Sequence, residues 1–176
     1  MARSVAFFRN LNLGQGWAPT RPRLLGAFER AGATRLDNVQ TNGTVIFSAR
    51  APVAVTRAVL VELAEATGYA DLAVVRSAPF VRAVAARLEA LAVPAGVPVE
   101  VSFYDARRPF PHPLPWTTPD PRVEVLYADR RHAITAFHPR GPGGSTAARL
   151  LPPVVGVEVT ARGAATVLRV AARLDA

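Results

Sequence analysis

The chain of 176 residues has no cysteine and no lysine. Without cysteine there are no disulfides, no thiol nucleophile and no thiolate metal site. No apolar run approaches the roughly 18–20 residues needed to cross a bilayer as a helix. The N-terminus also lacks the apolar stretch and small-residue cleavage site of a signal peptide. A soluble, cytoplasmic protein without a membrane partner is therefore expected. Acidic residues are few, 13 against 21 cations, and every cation is arginine. With abundant Ala, Val and Pro, that usage reads first as a codon bias toward GC-rich DNA. It weakens arguments from any single arginine. The net charge of +8 still attracts phosphates and anionic surfaces at low salt.

Half of the residues are hydrophobic, enough for a packed core. Ser4 to Phe8 forms an apolar strand that turns polar at Arg9 and Asn10 and loosens at Asn12, Gly14 and Gly16. Pro19 or Thr20 opens a helix carrying Leu24, Leu25, Phe28 and Ala31 on one face, with Gly32 after its end. Arg21, Arg23 and Arg30 fall largely off that face. Strands over 35–40 and 44–48 join through Asn42-Gly43, the dipeptide favoured in type I′ hairpins. Val45 and Phe47 face one way and Ile46 the other. A second helix starts near Pro52 and ends at Gly68, and a short strand covers 71–75. The order β-α-β-β-α-β predicts a ferredoxin-like half over residues 1–76.

Residues 77–176 predict a second, smaller α+β half of similar build. It comprises a helix from Pro79, a strand over 97–104, a hairpin over 123–137, a short helix over 147–151, a strand over 157–160 and a terminal helix over 163–174. The class expected for the whole chain is α+β. Between Arg107 and Arg122 lies RRPFPHPLPWTTPDPR, with six prolines. Such spacing is expected to forbid helix and ladder pairing and to favour extended polyproline II. Either it is a stiff surface connection, or it is a flap displaying Phe110, His112 and Trp116.

Several of these segments together resemble the DUF1697 family. Arg9-Asn10-Leu11-Asn12-Leu13-Gly14 is similar to its R-G-I-N-V-G, and Thr41 to Phe47 to its Q-S-G-N-V-V-F. Gly68-Tyr69 is similar to its Gly-Phe. Gly141 to Thr146 and Thr160 to Val167 are similar to its G-x-G-R-S-K and T-x-R-N-W-N-T-V. The departures are Asn10 for Gly, Thr146 for Lys, and Gly163-Ala164-Ala165 for N-W-N. If those positions bind something in the family, this chain binds it weakly, binds something else, or has lost the activity. The resemblance brings no reaction with it.

Four polar clusters are candidate binding elements: Arg9, Asn10, Asn12 and Gly14; Gln40, Thr41 and Asn42; Ser145 and Thr146 behind a glycine run; and Thr160, Arg162 and Thr166. Free N–H groups and two guanidinium groups suit a phosphate or carboxylate. The competing explanation is turn and cap chemistry. The glycine run lacks the P-loop spacing and its Lys. His132 and His138 share strand parity but are six residues apart, too far to share a metal, and no cofactor is implied. Ser145 lacks a nucleophile elbow, and no carboxylate pair suggests acid–base work. The expected function is non-catalytic binding of an anionic ligand, nucleic acid or a phosphorylated metabolite, through a basic, Gly/Asn-rich cleft to which Arg9, Arg162 and the glycine loops contribute. The alternatives are an enzyme acting on a phosphorylated or acidic small molecule, and an oligomerising protein, such as a homodimer, without a ligand.

Overall fold

A computed structural model describes residues 2–91, 93–138 and 146–175. Its fold is α+β, with two antiparallel sheets and six helices among those residues. The chain forms two compact units, Met1–Val84 with Leu168–Ala176, and Ala85–Val167.

The first unit contains β1 (Arg3–Phe8), α1 (Arg21–Arg30), β2 (Thr34–Gln40), β3 (Thr44–Ser48), α2 (Pro52–Thr67) and β4 (Ala73–Ser77), in the sheet order β2-β3-β1-β4. Strand alternation sends Ala6 and Phe8 of β1 and Val45 and Phe47 of β3 into one cluster with Leu24 and Phe28 of α1 and Val59 and Leu63 of α2. Ile46 lies outside that cluster and is also fully buried. The Phe28 ring packs 4.9 Å from that of Phe47 and edge-on to that of Phe8. Thr20 caps α1 by accepting a hydrogen bond from the Arg23 amide. The left-handed Gly68 ends α2.

Two local expectations change here. The 41–43 turn is not type I′, because the positive φ falls on Gly43 alone, at 64°, and not on Asn42. Gln40 pairs with Thr44, so three residues form the loop, the arrangement that places one left-handed glycine last. The fourth strand begins at Ala73 rather than Asp71. Asp71 caps its own segment instead, accepting a bond from the Leu72 amide at 2.7 Å.

The second unit carries a five-stranded sheet of order β6-β7-β8-β5-β9, formed by β5 (Val99–Phe103), β6 (Trp116–Thr117), β7 (Val123–Ala128), β8 (His132–Phe137) and β9 (Thr160–Gly163). Helix α3 (Ala78–Ala90) precedes β5. The short α4 (Ala147–Leu150) and α5 (Pro152–Val155) precede β9, and α6 (Ala164–Asp175) follows it. Both α3 and α6 contribute residues to each unit. Tyr104, Val125, Ala133, Ala147, Leu151 and Val159 form a core cluster, with Phe110 and Trp116 packed on it.

The proline-rich segment thus packs the partly buried Phe110 and Trp116 on that core and leaves His112 exposed, and it does pair: Trp116 lies opposite Val125, and Thr117 opposite Glu124. Pairing is possible there because 116–118 is the one proline-free gap, so its amides remain donors. The last strand also begins later than expected, at Thr160, so that Arg162 lies within it opposite Val101.

Candidate functional site

In the first unit, two of the candidate clusters meet where β1 ends. The Leu13 amide donates to the Thr41 carbonyl at 2.7 Å, and the Phe8 amide to that of Gly43 at 2.9 Å. These bonds fasten the loop after β1 to the β2–β3 turn. Gly43 makes the approach possible, since a Cβ there would lie 2.9 Å from Cβ atoms of both Phe8 and Leu11.

Within the loop, Leu11 and Leu13 are buried while Asn12 and Gly14 are exposed. Asn10 is exposed and adopts φ 51°. That left-handed conformation is one asparagine tolerates better than most side chains, which explains why it can stand where the resembling motif has glycine. Its side-chain amide donates to Asp71 Oδ2 at 2.9 Å, and Arg9 lies 3.4 Å from Oδ1 of the same carboxylate. Tyr69 donates its hydroxyl hydrogen bond to the Arg9 carbonyl. Asn42 spends its polar atoms inside the turn, donating to Gln40 Oε1 and accepting from the Thr44 hydroxyl.

Gly14 and Thr41 help to line a groove of about 280 Å³ with Thr20, Arg21, Asn38 and Gln40. Arg21 is exposed and makes no hydrogen bond or ion pair among the described residues. Thr20 is shared with a second groove of about 450 Å³, lined by Gly16, Trp17, Pro19, Arg23 and Thr67. Trp17 is 58 % exposed, its ring lying parallel to that of Tyr69 at 6.4 Å between centroids. The Arg23 guanidinium donates to the Ala66 carbonyl at 3.4 Å. The surface therefore combines hydroxyls, amides, two exposed guanidinium groups and an open indole.

Trp17, Arg21, Arg23 and Asp71 were not among the sequence-derived site residues. The usable signal for the first three was position: arginines off the apolar face of α1, and a tryptophan in a glycine-rich loop. Asp71 was hidden by its assignment to a strand.

The other candidates belong to the second unit. Ser145 and the glycine run 141–144 lie outside the described residues. Thr146 is exposed at the start of α4, without a side-chain cap bond. Arg162 is buried on β9, donating to the Thr160 hydroxyl at 3.0 Å and the Ala161 carbonyl at 2.7 Å. Thr166 is buried on α6.

The histidines have local partners. His132 Nδ1 lies 3.1 Å from Asp129, and His138 Nε2 lies 3.2 Å from Glu124. Burial alone would raise the Asp129 carboxyl. The amide of Arg131 and the amide and ring of His132 outweigh it and hold that group below its usual range. Burial pushes the Glu100 carboxyl upward, and its Oε2 has no hydrogen-bond partner among the described residues. Among the described residues no group of three or more His, Asp or Glu side chains is placed to hold a metal ion. No helix among them is long and apolar enough to cross a membrane.

No curated protein matches the chain. A similar solved structure is that of the conserved bacterial protein SP0830 from Streptococcus pneumoniae, 15 % identical, with a TM-score of 0.64 and 98 % of each chain covered. At that identity the likeness concerns the fold. The family described as "Protein of unknown function (DUF1697)" matches residues 1–111, well over half of the sequence, and the chain belongs to that family.

Proposed function

We propose that the protein is a non-catalytic binding protein for an anionic partner, recognised by the surface between β1 and α1, and that a single-stranded nucleic acid fits it best. The observation that carries this reading is a pair of grooves that share Thr20, one lined by the exposed Trp17 and Arg23, the other by the exposed Arg21 with Gly14 and Thr41. Guanidinium groups pair with phosphate oxygens, and an open indole supplies a stacking face that any base can use. Asn12, in the same loop, adds an exposed amide. Arg9, partly exposed on Asp71, adds a third cation that phosphate can recruit. The net charge of +8 supports the same partner through long-range attraction. In this reading the protein works in the cytoplasm.

Titration with a fluorescently labelled random-sequence RNA at low ionic strength tests it. Binding that weakens steeply as salt rises is expected, because phosphate contacts release counterions. Absence of binding at the lowest salt overturns the nucleic-acid reading.

A further inference from the structure

We propose a second binding site, for a small organic anion with an apolar body, in the cavity of about 540 Å³ between the start of the proline-rich segment and α5. It lies entirely within the second unit. Arg107 and Arg108 form its charged side, and Pro109, Pro153, Val154 and Val157 contribute to its apolar walls. The volume falls within the range of small-molecule sites.

Two features make this more than a surface recess. First, its charge has no internal use. Both arginines are exposed and make no hydrogen bond or ion pair among the described residues, and no acidic residue lines the cavity. Two adjacent guanidinium groups without a carboxylate are matched by an oxyanion. Second, the support is rigid. Just before the arginines, the Tyr104 and Ala106 amides donate to the Arg131 and Arg130 carbonyls. Just after them, Pro109 and Pro111 restrict the backbone, and Phe110 packs on the core with Trp116. Across the cavity Val155 and Val157 pack on the same core, on either side of the left-handed Gly156. A platform anchored on both sides loses little freedom when a ligand enters. Trp116 has His112 stacked on it at 4.2 Å and Phe110 against it, so the aromatic residues serve the packing. That favours a compact amphipathic anion.

Amide NMR spectra during titration with 1-anilinonaphthalene-8-sulfonate test the site, with uncharged N-phenyl-1-naphthylamine as the comparison. The sulfonate should shift amides near Arg107, Arg108 and 154–157. The Arg107→Ala/Arg108→Ala variant should bind it at least about tenfold more weakly, as should Pro153→Glu, and the neutral compound should bind far more weakly. Shifts confined to the loop after β1, equal binding by the neutral compound, or unchanged affinity in the arginine variant would each overturn the proposal.

Discussion

Single residues set how closely the pieces of the first unit approach. Gly43 combines a left-handed backbone with a site where a methyl group meets Phe8 and Leu11 at 2.9 Å. The Gly43→Ala variant should lose about 1–3 kcal/mol from backbone strain and about 1–3 kcal/mol from overpacking. Urea unfolding checks this, and a midpoint equal to that of the parent would refute the packing described. Glu100 works in the opposite direction. Its folded carboxyl lies above the unfolded value of 4.5 because of burial. The native state thus holds the proton more tightly, and stability falls as pH rises from about 4.5 through the folded value. Glu100→Gln should raise the melting temperature at pH 7, and the advantage should shrink in acid. A variant less stable at pH 7 would contradict this. The Asn42-Gly43 dipeptide marked the turn correctly in the sequence, but its type depended on loop length, which the pairing of Gln40 with Thr44 determines.

At the scale of elements, the β7–β8 hairpin is closed by Asp129, which accepts from the amides of Arg131 and His132 at 2.6 and 2.8 Å. Its folded carboxyl lies below the unfolded value of 3.8, so it contributes stability above that value, lost as pH falls through the folded one. Asp129→Asn should cost about 1–2 kcal/mol at pH 7, allowing for partial exposure. The two proteins should converge as pH falls through the folded value. A constant difference across the range would show that charge is not the cause. The elements themselves were largely legible, because apolar spacing and glycine stops reflect burial directly. Strand ends were less so. Asp71 and Leu72 look like strand by composition, yet the Leu72 amide bonds to the Asp71 side chain, while the Leu72 carbonyl still accepts from the Arg9 amide at 2.8 Å. Trp116 and Thr117 look like irregular chain, yet a three-residue gap between prolines suffices for pairing.

At the scale of the molecule, a positive charge was evident from composition, but its useful location was not. Arg162 was a candidate by motif, and its guanidinium is spent on Thr160 and Ala161 in the interior. Arg21, Arg107 and Arg108 carried no motif and are exposed without partners among the described residues. Which arginines remain open depends on partners that are local for Arg162 and distant in sequence for Arg9 with Asp71, and periodicity encodes neither. In the proposed reading the surface after β1 binds nucleic acid through Arg21 and Arg23. The slope of log affinity against log salt, measured with single-stranded RNA for the parent and for Arg21→Ala/Arg23→Ala, tests it most directly. Losing two phosphate contacts should make the slope shallower by about 1.4, at about 0.7 per contact on single strands. A variant with the parent's slope and affinity would contradict the account.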